Sequence, residues 1–367
     1  MKRHGIFPLL CECLSFESEA GPANESLREK LGSGAIEWES LAEAASHHLV
    51  SPALYWVLRR KQLLSCIPAD LSRYLETLYE NNAARNRRIV ALATNIIGWL
   101  NEVAVEPILL KGIGNVAAGL YPDPGMRVIG DIDLLVPEES IPDCVKKLQA
   151  AGYDPYISNS VSDLHVYLRN NDEYVAVELH WQVVAGRFRT LLDADAVLRD
   201  SRPLRFGDTH ARIPSADHRV IHNVIHTQLV DNNYVQGFIR LRQLYDFVLL
   251  GRILDGAIDW QRIALLFERK RCLGALSGYM LAGERLLGHP MRPEVHVTQC
   301  AKLYMACVLS QNRWLWLMRA GSVVRLVLHF FRWLRHAVKN PTVPAAWQGE
   351  WWAIKGRRIA HNLRRRW

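Results

Sequence analysis

The run Asp131-Ile132-Asp133-Leu134-Leu135-Val136 constrains this chain more than any other segment. Its apolar residues read as a buried strand, and side chains two apart on a strand share a face. Asp131 and Asp133 therefore point the same way while Ile132 turns to the core. Two carboxylates held that close repel unless a cation sits between them, and Mg²⁺ is the usual ion where phosphates are the substrate. Upstream, the apolar Leu109-Leu110 enters a turn at Lys111-Gly112, and a helical stretch runs on to Leu120. Gly112 suits a turn where phosphate approaches the backbone closely, beside the free N–H groups of the helix that follows. Lys111 and Arg127 supply cations for a triphosphate, the lysine as a point charge and the arginine as a fork. Asn115, one helical turn on, is a weaker candidate. Each cation also has a bland reading: Lys111 as a surface charge, Arg127 as partner of a neighbouring acid.

The segment Val175-Ala176-Val177-Glu178-Leu179-His180 alternates, with the valines and Leu179 on one face and Glu178 and His180 on the other. Beside the Asp131 strand, Glu178 becomes a third carboxylate. Three carboxylates then converge on two Mg²⁺ ions about 3.5–4 Å apart, with Mn²⁺ as an alternative ion. Glu178 also suits the base that removes an acceptor proton. The competing reading is a solvated glutamate on an edge strand. A dinucleotide-binding unit is the rival for Gly112-Ile113-Gly114, with an acid 19 residues past Gly112. The lysine before the first glycine, the same-face acid pair and the lack of a following strand–helix train count against it.

Lys111-Gly112, Arg127, the Asp131–Val136 run and Val177-Glu178-Leu179-His180-Trp181 together resemble the uncharacterised nucleotidyltransferase family of the DNA polymerase β-like superfamily. The likeness extends to Leu49–Tyr55 and Arg240–Asp246, and covers roughly residues 40 to 290. The superfamily usually shows Gly-Gly or Gly-Ser in the first turn, where this chain has Lys111-Gly112-Ile113-Gly114. The resemblance implies an α+β fold: a small mixed β-sheet nucleotidyltransferase core flanked by N-terminal and C-terminal helical regions. It implies a metal-dependent enzyme that moves a nucleoside monophosphate from an NTP donor to an acceptor hydroxyl and releases pyrophosphate. Asp131, Asp133 and Glu178 would be catalytic and metal-binding, and Lys111, Gly112, Asn115 and Arg127 would meet the nucleotide phosphates. His180 and Asp246 would belong to the substrate lobe. A small molecule, peptide or glycan is the favoured acceptor, in a biosynthetic or tailoring role. A toxin-type transferase acting on tRNA or protein comes second. A non-catalytic nucleotide sensor or interaction protein of the same fold is the contrasting reading.

Composition sets the frame. With 367 residues, 49% hydrophobic and 22% charged, the chain has room for a sizeable core and more than one region. The sequence divides into a helical region over 1–101, an α/β core over 102–212, a helical substrate lobe over 213–312 and a basic tail over 313–367. Expected strands cover 105–110, 131–136, 163–169 and 173–181. Two helices are expected over 25–64, one long helix over 68–101, and helices throughout 215–311. Twelve of the 45 Lys and Arg lie in the tail against one acid, Glu350, leaving positions 1–312 with 33 basic and 36 acidic residues, a net of −3. The tail also holds seven of the twelve tryptophans.

The basicity therefore belongs to the tail. The spaced arginines and aromatics over 313–340 resemble an interfacial helix that contacts a membrane peripherally. Packing on the helical lobe is the favoured alternative, and nucleic acid is the least favoured partner. His222 and His226 stand at i and i+4, a known metal-ligand spacing, yet Asn223 holds the place of a protease glutamate, so a packed pair is expected. The seven scattered cysteines read as free thiols, and neither a signal peptide nor an apolar run of about 18 residues is evident. The expected location is the cytoplasm.

Overall fold

The computed structural model describes residues 5–16, 21–34, 36–155, 164–173, 175–184 and 186–313. The chain divides into two units, Met1–Trp314 and Leu315–Trp367. The Trp- and Arg-rich tail, with its 313–340 face, lies outside the described residues beyond Arg313.

The N-terminal part is helical: α1 (Ile6–Leu14), α2 (Pro22–Gly32), α3 (Trp38–His47), α4 (Ser51–Arg60) and α5 (Ala69–Asn101). Three helices, rather than the expected two, occupy the stretch around 25–64. Leu49, with φ of 56°, breaks the chain between α3 and α4, and Pro52 sits in the first turn of α4, where its missing N–H costs nothing. Helix α1 is not among the elements expected from the sequence. Its apolar residues surround the helix, which is buried as a core element: Leu10 and Cys13 are fully covered. The buried Lys61 ammonium at the end of α4 donates to the carbonyls of Cys13 and Ser15 at 2.8 and 2.7 Å, fixing the end of α1.

Helix α5 runs 33 residues, about 50 Å at the α-helical rise. Its first half sends Leu71 and Leu75 into the helical core, and its second half sends Ile89, Ala93, Ile96, Ile97 and Leu100 against the sheet.

The sheet has seven strands among the described residues: β1 (Ile108–Leu109), β2 (Ile132–Leu135), β3 (Asp154–Pro155), β4 (His165–Arg169), β5 (Val177–His180), β6 (Arg202–Phe206) and β7 (Thr209–Ile213). They lie in the order β3-β4-β5-β2-β1-β7-β6, with β2–β5 and β1–β7 parallel and the other pairs antiparallel. The fold is the expected α+β type with a mixed sheet, larger than the four strands read from sequence. The β6–β7 hairpin escaped that reading although Gly207-Asp208, with Gly207 at φ +60°, makes a two-residue turn. Arg202, Pro203 and Arg205 obscure the alternation of β6, and Pro203 is tolerated because β6 is an edge strand.

Period-two alternation gives the sheet two different faces. Ile132, Leu134, Val177 and Leu179 pack with the second half of α5 and with α7 (Ile141–Ala150) through Cys144 and Leu148. The opposite face carries Asp133, Leu135, Glu178 and His180, and Leu135 joins the helical core. That core is completed by α8 (Ala194–Arg199), α9 (Ala216–Val224), a π-helical turn over Ile225–Val230, α10 (Asn233–Gln236), α11 (Leu241–Ile253), α12 (Trp260–Arg269) and α13 (Leu273–Leu287).

Between β1 and β2 runs α6 (Lys111–Ala117). The strain of its entry falls on Lys111, at φ 47°, and not on Gly112. The glycine required by packing is Gly114: a Cβ there would stand 2.5 Å from the Leu109 carbonyl oxygen. Because backbone cannot retreat as a flexible side chain does, Gly114→Ala should destabilise the protein by about 1–3 kcal/mol. Denaturant unfolding of the variant checks this, and an unchanged midpoint would show that α6 shifts freely against β1.

Candidate active site

The parallel register of β2 and β5 sets Asp133 directly beside Glu178, so β5 is an interior strand and its glutamate is no edge residue. Lys111 enters the same place from the start of α6. Its Nζ lies 2.5 Å from Asp133 Oδ1 and 3.6 Å from Glu178 Oε2. His180 lies two residues after Glu178 on the same face, and its Nε2 is 3.1 Å from both carboxylates. Asp133 is buried, and Asp131, one residue before β2, is half-buried with no ion pair or hydrogen bond among the described residues. Asp131, Asp133, Glu178, Lys111 and His180 all line one cavity of about 440 Å³.

The charges explain one another. Burial alone would push the Asp133 carboxyl up, but Lys111 and His180 hold it well below the usual carboxylate range. Burial likewise opposes charge on Lys111 and His180, and the carboxylates outweigh it, raising both above their ordinary values. Asp131 makes no such contact. Burial raises its pKa, and repulsion from Asp133 and Glu178 adds to the rise, outweighing the opposing pull of Lys111 and Arg242.

A second polar knot borders the same cavity. Arg127 is buried, and its Nε and Nη2 donate to Asp246 Oδ1 and Oδ2 at 2.9 and 2.7 Å. Tyr121 Oη donates to the same Oδ1 at 2.5 Å, and Arg127 Nη1 donates to the Val128 carbonyl. Asn86 Nδ2 grips the Arg127 carbonyl at 2.7 Å, aided by Asn82 at 3.2 Å. Of the two readings open for Arg127, the structure shows the acid partner, supplied from α11. The burial that penalises the guanidinium is offset by Asp246, which holds its pKa above the ordinary value.

Asn115 Oδ1 accepts from Arg219 Nη2 at 3.0 Å, and Arg242 Nη1 donates to the Val128 carbonyl at 3.0 Å. Burial depresses both arginines to about 10. Both line the cavity and neither is among the site residues expected from the sequence, although Arg242 lies in the Arg240–Asp246 stretch that carries part of the family likeness. His222 and His226 do pack as a pair, rings edge-to-face at 6.1 Å, yet they also line the cavity. Burial lowers the pKa of the His222 imidazole well below its usual range and that of the less covered His226 in the same direction. The π-helical turn begins beside them, a deformation common at functional sites.

Removing one member of a buried ion pair leaves the other uncompensated. Asp246→Ala should therefore cost about 3–5 kcal/mol, while Arg127→Met/Asp246→Leu should recover most of that loss; urea unfolding of the three proteins measures it. A pH effect isolates His180. Its raised pKa means that its stabilising contribution is complete below the unfolded value, about 6.5, and is lost as pH rises through the folded value. With metal ions chelated, the stability difference between wild type and His180→Gln should shrink as pH rises above about 6.5, and a constant difference would contradict it.

A family model described as uncharacterised nucleotidyltransferase matches residues 34–288. No curated protein matches the chain. Among solved structures, the antibiotic-resistance factor ANT(2'')-Ia is similar at 14% identity and a TM-score of 0.36, over 51% of this chain and 92% of that one. An antigenic nucleotidyltransferase-like protein from Paracoccidioides brasiliensis is similar at 14% identity and a TM-score of 0.32, over 52% and 91%. With the family model spanning the chain from α3 through the sheet to α13, the chain belongs to the uncharacterised nucleotidyltransferase family.

Proposed function

We propose that the protein transfers a nucleoside monophosphate from an NTP to an acceptor hydroxyl, with release of pyrophosphate, and that Asp131, Asp133 and Glu178 hold Mg²⁺ for that reaction. The observation that carries this reading is the side-by-side placement of Asp133 and Glu178 with the Lys111 ammonium against both. A cation already stands in the carboxylate pocket, and Asp131 beside it has no ion pair or hydrogen bond among the described residues. The donor set is all oxygen, which suits Mg²⁺. When bound, the ion neutralises the triphosphate and eases ionisation of the acceptor hydroxyl.

The acceptor oxygen bonds to the α-phosphorus as the bond to the bridging oxygen breaks, and pyrophosphate leaves with that oxygen. Glu178 takes the hydroxyl proton. Lys111 exchanges its carboxylate partners for the nucleotide phosphates, and Gly112 and Asn115 border the path those phosphates take. Arg127 acts by holding Asp246 and the cavity wall, while Arg219 and Arg242 add positive potential to it. A cavity of about 440 Å³ has the volume of a small-molecule site. The acceptor we favour is a hydroxyl of a small molecule, peptide or glycan, in a tailoring role.

Thermal unfolding with each NTP, with and without Mg²⁺, tests the reading. A nucleotide at 100 times its Kd should add about 2.7 kcal/mol of stability. The shift should require Mg²⁺ and disappear in Asp131→Asn/Asp133→Asn. No shift with any NTP would overturn the proposal.

A further inference from the structure

The sheet face that carries Asp133 and Glu178 continues one strand further. Antiparallel pairing of β4 with β5 sets His165 directly opposite His180, and their rings stand 4.8 Å apart between centroids. Glu178 precedes His180 by two residues, so the pleat brings it to the same face. Two imidazoles and one carboxylate are thus gathered by backbone register, with one ligating atom of each within 4.8 Å of the others. Ligands of a tetrahedral ion bound at 2.0–2.2 Å stand about 3.3–3.6 Å apart, so side-chain rotation of His165 and Glu178 is what would draw this arrangement into a coordination shell.

The chemistry of these donors differs from that of the oxygen-only pocket beside them. Imidazole nitrogen favours d-block ions such as Mn²⁺, Co²⁺ and Zn²⁺, whereas Mg²⁺ prefers oxygen and retains its water. His180 adds a second indication. It is buried, and its Nδ1 has no hydrogen-bond partner among the described residues, although polar atoms that deep are usually satisfied. Lys111 lies 2.5 Å from Asp133 and 3.6 Å from Glu178, while His180 Nε2 is already 3.1 Å from Glu178 Oε2.

We propose that His165, Glu178 and His180 form a binding site for a divalent d-block cation. The site adjoins the carboxylate pocket, shares Glu178 with it, and makes the protein respond to a metal other than Mg²⁺. It stands whether or not the chain transfers nucleotides.

Co²⁺ is the probe, because its visible ligand-field spectrum reports nitrogen coordination directly. Full-length protein, stripped with chelator, is titrated with Co²⁺ and then with Zn²⁺ as competitor. Wild type should bind one Co²⁺ that Zn²⁺ displaces, and excess Mg²⁺ should fail to displace it. His165→Gln should weaken Co²⁺ binding by about 100-fold or more with an unchanged thermal midpoint. His165→Cys, which keeps a ligand, should bind and add a sulfur-to-cobalt charge-transfer band. Equal Co²⁺ affinity in wild type and His165→Gln would overturn the proposal, as would a wild type without a Co²⁺ spectrum or a cysteine variant that binds without the sulfur band. The nucleotide-dependent shift of the wild type is read separately. A Mg²⁺-dependent NTP shift without a Co²⁺ site removes this proposal alone, and a Co²⁺ site without any NTP shift removes the transferase reading alone.

Discussion

The buried pair of Arg127 and Asp246 joins residues 119 positions apart, and the cavity depends on that joint. One partner follows the turn that leads into β2, and the other lies on α11 of the helical lobe. Taking both charges out of water is expensive, and attraction alone seldom repays the cost. Here the remaining hydrogen-bonding capacity is used: Tyr121 reaches the carboxylate, Val128 accepts from the guanidinium, and two asparagines hold the backbone at Arg127. Such a network, in which both charged side chains find partners, fixes one arrangement of lobe against sheet. The two faces of the cavity are therefore set by polar geometry, while the apolar cores on either side supply the bulk of the stability.

Helix α5 makes this joint part of a longer frame. Its first half belongs to the N-terminal helical core and its second half to the sheet core. Asn82 and Asn86 project from its middle onto the carbonyls at 124, 125 and 127. A single rigid element thus spans both cores and grips the loop that places Arg127. The N-terminal helices are accordingly part of the scaffold of the site, since the apolar first half of α5 needs them as cover.

Much of this geometry was legible in local pattern. The Asp131–Val136 alternation and the Val175–His180 alternation report which side chains share a face, and pleat alone dictates that result. The long periodicity over 68–101 gave α5 almost to the residue. Other features depend on register or on distant partners, which one sequence does not encode locally. His165 faces His180 only because β4 pairs with β5 in one register. Asp246 was a candidate without a partner, and Arg127 a cation without an acid, until the fold brought them together. The glycine that packing requires, Gly114, lay two residues from the one that its place in the turn had singled out.

Lys111 adopts a left-handed backbone conformation, at φ 47°, that glycine occupies freely and lysine adopts at a cost of about 1 kcal/mol. A chain optimised for folding alone would place glycine there, as it does at 119, 152 and 207. The lysine is therefore a strained residue whose ammonium is delivered to the carboxylates by that same backbone conformation. Relaxing the backbone and retaining the charge are alternatives at this position, so a design that seeks greater stability at residue 111 would do so at the expense of the pocket.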